Sequence, residues 1–241
     1  MEVAEYEKMY ELEGGYWWWV GRRRLLDVIL DRLGLRSASV LDVGCGTGFN
    51  LNWLCKYGSV VGLDFSKDAL RFCGMRGNRN VVLADAESLS FKDNTFDLVT
   101  ALDLLEHVDD QEALKEIHQV LKPNGHLVLS VPAFNFMWSK HDEAARHVRR
   151  YRKRQLKAAV EANGFVVEKM SFWNSFLFIP IAAVRLARKR WRERQVVTDV
   201  RVLPGIVNGL LAFVLRFEAH LMKRANLPIG VSLVCVARAH K

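Results

Sequence analysis

The stretch VLDVGCGTGFN, residues 40–50, limits what this chain can fold into more than any other feature. An apolar run ends at Asp42-Val43 and passes through Gly44, Gly46 and Gly48 into amphipathic sequence, which reads as a strand joined to a helix. Glycines at such a junction let the backbone turn tightly and come close to a ligand, and the helix start adds free N–H groups. The alternation continues with VVGLD, VVLAD, FDLVTAL and HLVLSVP, each followed by polar, helix-compatible sequence. Strand and helix in turn predict βαβ units and a parallel sheet. RGNRN and KPNG mark turns before the third and fifth strands.

A glycine loop is also found in nucleotide-dependent dehydrogenases, so a nicotinamide-dependent oxidoreductase is one alternative. Asp42 argues for a different ligand. A carboxylate two residues before the first glycine repels a pyrophosphate and suits a ligand with an ammonium or sulfonium charge. The third glycine also comes one position early, with Phe49 where the dinucleotide fingerprint has Gly or Ala. Asp64, ending the second strand, is placed to accept from ribose hydroxyls, and Asp85, ending the third, from an adenine amino group.

Taken together, DVGCGTG, Asp64, ADAESLSF, FDLVTALDLLEHVDD and LKPNGHLVLSVP resemble the class I S-adenosylmethionine-dependent methyltransferases, over roughly residues 38–172 and the last strand. The resemblance implies S-adenosyl-L-methionine as cofactor. It further implies an α/β fold of three layers, a doubly wound, seven-stranded and mostly parallel sheet whose last strand is antiparallel. By the same resemblance Asp42 and the backbone of Gly44, Cys45, Gly46 and Gly48 hold the methionine end. Asp64 then holds the ribose, Phe65 the adenine face, and Asp85 with Ala86 the adenine edge, while Leu102 and Asp103 line the middle.

A sulfonium methyl is already activated, so the protein chiefly aligns the acceptor and excludes water, a contribution of roughly 7–11 kcal/mol. A general base adds roughly 10²–10⁴-fold where the acceptor must lose a proton. His107, just after the fourth strand, is the first candidate, with a helix start or cofactor packing as its bland alternative. His141, His147 and Tyr151 follow the fifth strand with Arg149 and Arg150, and together they can line a pocket for an anionic acceptor. No Asn-Pro-Pro-Tyr-like segment follows the fourth strand, and no cysteine lies between it and Cys235. Nucleic-acid acceptors are thereby disfavoured, and a small-molecule or lipid-linked acceptor is expected.

The net charge of +8 is placed unevenly: 15 basic and 20 acidic residues up to Lys140, then 20 basic and 7 acidic. A basic C-terminal half leaves a non-catalytic RNA-binding module as a further alternative, although the aromatic strand motifs of single-strand RNA readers are missing. The four cysteines show no C-x-x-C spacing and no clustering with histidine, so neither disulfides nor a metal are expected. The opening MEVAEYEKMYELEGG lacks the features of a secretory signal, which predicts a cytoplasmic protein.

One domain over residues 1–241 is expected. Its parts are a helical lid at 1–38 carrying Tyr16 and Trp17–Trp19, a cofactor core at 39–172, a helical cap insertion at 173–230 and a last strand at 231–241. The segment from His141 reads as one helix closed by Asn163-Gly164. Within the insertion, one amphipathic helix ends in Arg185, Arg188, Lys189, Arg190, Arg192 and Arg194. A second has Val207, Leu210, Leu211, Val214, Phe217 and Leu221 on one face and Ala212, Arg216, Ala219 and Lys223 opposite. That composition suits a cap over the site or contact of residues 173–224 with an anionic membrane surface, at the inner face of the membrane.

Overall fold

The computed structural model describes residues 3–190 and 202–241. Two helices, α1 (Val3–Leu12) and α2 (Trp17–Leu33), precede the alternating core. The core runs β1 (Ala38–Val43), α3 (Phe49–Leu54), β2 (Gly58–Asp64), α4 (Lys67–Met75), β3 (Val81–Leu83), β4 (Phe96–Leu102), α5 (Asp110–Val120) and β5 (Leu121–Pro132). It continues through α6 (Lys140–Ala145), α7 (Lys153–Ala162) and β6 (Phe165–Trp173) to α8 (Phe178–Arg190), α9 (Gly205–Leu221) and β7 (Ser232–Ala239).

The strands form one sheet in the order β3-β2-β1-β4-β5-β7-β6, with β7 antiparallel to both neighbours and the pairs from β3 to β5 parallel. Consecutive residues point to opposite faces of a strand. Val40 and Leu41, Leu98 and Val99, and Val128 and Leu129 are all buried, one of each pair in each of two hydrophobic clusters. Helices therefore cover both faces, which is why these strands read as apolar runs rather than as alternating patterns. The strand order reverses between β1 and β4, so the crevice beyond their carboxyl ends is where an open α/β sheet receives a ligand.

Four local readings are corrected. KPNG does not precede β5 but lies within it: Phe96 pairs with Leu121 and Leu98 with His126, so β5 bulges outward, with Asn124 at φ 62. Asn tolerates that conformation better than most residues. β3 stops at Leu83, which leaves Asp85 two residues beyond the strand in a bridge with Ser88. The single helix expected from His141 is two, α6 and α7, because Arg150 and Tyr151 between them are buried and Tyr151 bridges to Ala133.

The fourth correction concerns α9, which turns its other face inward. Ala212, Leu215, Ala219 and Met222 are buried, while Leu210, at 62% exposed, Val207, Phe217 and Leu221 face outward. The reason lies in α2, where a Cβ on Gly21 would stand 2.5 Å from the Leu215 side chain. The helices approach too closely for large residues on that side, so small ones face the core. Of the basic run predicted at the end of α8, Arg192 and Arg194 lie outside the described residues.

Candidate active site

The glycine loop is tied to β2 by its own amides. The N–H groups of Gly44 and Cys45 both donate to the Leu63 carbonyl, at 2.8 and 2.9 Å, and Gly46 N–H donates to Asp64 Oδ2 at 2.9 Å. Gly44 and Gly46 have φ of 75° and 56°, and a Cβ on either would come within 3.0 Å of a side chain, Leu104 and Met9 respectively. Asp64 also accepts from Ser66 N–H through Oδ1, and burial raises its carboxyl. Gly48 shapes the turn: a Cβ there would lie 2.8 Å from Cys73 Sγ, and it does not border the cavity described below.

Asp42 is buried at the end of β1. Its Oδ1 accepts from the Thr100 hydroxyl at 2.6 Å, whereas Oδ2, equally buried, has no partner. Burial pushes this carboxyl up to about 6, even with Arg22 nearby to lower it.

These groups open onto a cavity of about 960 Å³. Asp42, Gly44, Cys45, Gly46, Asp64, Phe65, Asp85 and Ala86 all border it. Phe65 is 68% exposed, so its ring is available to a flat partner and is not core. Asp85 is exposed and uses Oδ1 to accept from Glu87 N–H at 3.0 Å. Leu102 and Asp103 border it too. Asp103 is fixed by an ion pair with Arg22 at 2.6 Å and a bond from the Ser130 hydroxyl at 2.8 Å. Trp17, Trp18 and Trp19 of α2 also border the cavity, and Trp18 packs on Trp173 with ring centres 4.6 Å apart.

His107, His141 and His147 all border the cavity and cluster together, with ring centres 4.8 Å apart for His107 and His147 and 5.9 Å for His141 and His147. Burial, with His147 next to it, lowers the His107 imidazole to about 4, so the ring is neutral at physiological pH. Tyr151 is not with them. Its buried hydroxyl lies 2.8 Å from Asp110 Oδ2 and 3.1 Å from the Leu105 carbonyl, away from the cavity, and burial followed by the Asp110 bond raises its pKa. The cluster expected around it is likewise engaged elsewhere: Arg149 lies 3.1 Å from Asp110, and Arg150 grips Asp142 and the Ala133 carbonyl. The guanidinium groups bordering the cavity belong instead to Arg22, Arg146, Arg185 and Arg188.

Sequence reasoning passed over Thr100, Arg22, Glu106 and Asp142. Thr100 had a signal, since position 100 of β4 is paired with Asp42 of β1 once the register is known. Glu106 had none: a carboxylate beside His107 reads as solvated, yet it is fully buried, and neither of its oxygens has a partner from another residue.

Residues 41–129 match the family described as a methyltransferase domain. The ubiquinone/menaquinone biosynthesis C-methyltransferase UbiE of Vibrio vulnificus is 32% identical over 164 residues, covering 61% of each chain. A ubiquinone biosynthesis O-methyltransferase of Coxiella burnetii is 31% identical over 151 residues, 56% of this chain and 64% of that one. The chain thus spans less than two thirds of the length of these curated relatives. Among solved structures, a chain of the Haloferax volcanii complex between the Trm112 methyltransferase activator and a methyltransferase shares the fold. Its TM-score is 0.63 at 18% identity, over 99% of this chain and 94% of that one.

Proposed function

We propose, on the premise that this chain carries a class I S-adenosylmethionine-dependent methyltransferase domain, that it methylates a small or lipid-linked, anionic acceptor. The observation that carries the cofactor half of this reading is the unpartnered Oδ2 of Asp42 at the edge of the cavity. A buried carboxylate oxygen without a donor is costly, and an ammonium group of the ligand relieves that cost. Asp42 would then hold the amino-acid end, Asp64 the ribose, and Phe65 with Asp85 and Ala86 the adenine. When bound, the cofactor supplies a methyl group on a sulfonium. The tryptophans of α2 exclude water above it, and Leu102 and Asp103 fix its middle against the acceptor side.

Thermal unfolding with S-adenosylhomocysteine or with NAD tests this half. At about 100 times Kd, S-adenosylhomocysteine is expected to add roughly 2.7 kcal/mol and raise Tm by about 5–10 °C, with no response to NAD. Stabilisation by NAD alone would sink the reading.

The acceptor half rests on the walls supplied by α8 and α9. Leu177, Ile181, Val184 and Leu211 make that end of the cavity apolar, with Arg185 and Arg188 beside them. Outside it, α9 exposes Ile206 at 90% and Phe213 at 65%, and Phe176 and Ile179 are exposed as well. No described helix is long and apolar enough to cross a membrane. An apolar face flanked by cations suits a helix lying in an anionic lipid surface, and the names of the two quinone-biosynthesis relatives agree with a lipid-linked acceptor. Flotation with anionic vesicles is expected to carry the protein upward at low salt, and high salt or Leu210→Ser with Phe213→Ser to abolish it. Absence of binding to anionic vesicles at low salt would remove the lipid surface from the reading.

A further inference from the structure

Glu106, His107 and His147 come from different parts of the chain, yet their ligand atoms lie within 4.8 Å of one another. Glu106 and His107 follow β4, and His147 follows α6. We propose that these three residues form a binding site for a divalent first-row transition metal, at the cavity wall where the acceptor is expected.

Three observations carry this. The first is the Glu106 carboxylate, 0% exposed, with neither oxygen partnered by another residue. Ionising a carboxyl in that condition is costly, and coordination to a cation offsets the cost. The second is the state of the imidazoles. His147 Nδ1 lies 2.9 Å from the buried Asp142 carboxylate, which orients the ring and leaves Nε2 outside that bond. Asp142 is itself anchored by Arg150 at 2.7 and 3.1 Å and by Ser139 N–H at 2.8 Å. His107 is hydrogen-bonded to the Arg146 backbone, so it too has one ring nitrogen left over. A carboxylate that holds a ligating histidine is the arrangement metal sites use to fix tautomer and direction.

The third observation is the donor set. Two imidazole nitrogens and one carboxylate suit Zn(II), Fe(II), Co(II) or Ni(II) better than Mg(II) or Ca(II), which favour oxygen. Bonds of about 2 Å in tetrahedral geometry place ligand atoms roughly 3.3 Å apart, so binding draws the three together by up to about 1.5 Å. His107 and His147 both border the cavity, so a cation held there faces it and has room for an oxygen of the acceptor. The inference deepens the acceptor side of the proposed reaction, but metal binding itself does not depend on that reading.

The test uses the full chain without a polyhistidine tag, stripped with chelator and titrated with Zn(II), and with Co(II) as a spectroscopic probe. One equivalent per chain is expected, with Co(II) bands of nitrogen and oxygen ligation. His107→Ala, His147→Ala and Glu106→Gln should each weaken Zn(II) binding by 10-fold or more, and Asp142→Asn by about 10- to 100-fold. S-adenosylhomocysteine affinity, measured without metal, should stay within about twofold in His147→Ala and Glu106→Gln, which shows that the variants are folded. Substoichiometric uptake by the wild type, or uptake unchanged in all three ligand variants, overturns the proposal. Loss of S-adenosylhomocysteine binding by the wild type would instead strike the methyltransferase reading and leave the metal site standing.

Discussion

Replacing Asp42 by Asn is expected to weaken S-adenosylhomocysteine binding by roughly 100-fold, about 3 kcal/mol, with the fold intact. The carboxylate is buried, and one oxygen already accepts from the Thr100 hydroxyl. Asn keeps that acceptor and the volume, but sets an amide NH₂ where the ligand's ammonium would donate. The unliganded protein loses a buried charge, so its stability should hold or rise. Calorimetry gives the affinity, and an affinity within threefold of wild type would refute the role given to Asp42.

The same residue sets a pH dependence. Its folded-state carboxyl stands at about 6, above the ordinary 3.8, with Arg22, Asp64 and Glu13 the charged groups around it. A group raised in this way contributes stability below its unfolded value and loses that contribution as pH rises through about 6. Binding of an ammonium ligand runs the other way, because the carboxyl must first lose its proton. Affinity should therefore fall below pH 6 by up to about tenfold per unit, and Asp42→Asn should abolish that slope.

The second large effect is on stability. Asp142 is fully buried among His147, Arg150 and Ser139, and caps α6 through a bond from Ser139 N–H. Asp142→Ala leaves the buried Arg150 guanidinium without its carboxylate and is expected to cost about 3–5 kcal/mol in urea unfolding. Burial alone would raise the Asp142 carboxyl, but the bonds from His147 and Arg150 outweigh it and hold the group below the usual carboxylate range. Its contribution is therefore present above about pH 4 and lost as pH falls further. A loss under about 1 kcal/mol would mean that the pair is not structural.

The alternation of strand and helix was legible because both faces of the sheet are covered, which imposes apolar runs that a sequence displays directly. The face of α9 was not. Hydropathy favours Leu210 and Phe217, but the closeness of α2 at Gly21 selects Ala212 and Ala219, and only the tertiary contact reveals that choice. At the site, Asp42 could be singled out because its charge stands beside glycines with a recognisable spacing. His107, His141 and His147 were visible as residue types. The meeting of His107 and His147 with Glu106 depends on the loop after α6 returning to the segment that follows β4, where Val148 N–H donates to the Glu106 carbonyl at 2.8 Å. Nothing local encodes that return, and it is also what withdraws Arg150 and Tyr151 from the cavity.

Asn208 of α9 donates to the Gly15 carbonyl and accepts from Trp17 N–H, both at 2.9 Å, directly at the start of the helix that carries the tryptophans. Together with the contact of Leu215 on Gly21, this clasps α9 to α2 at two points. The helix that carries the tryptophans and the helix that carries Leu211 therefore line the cavity as one clasped pair.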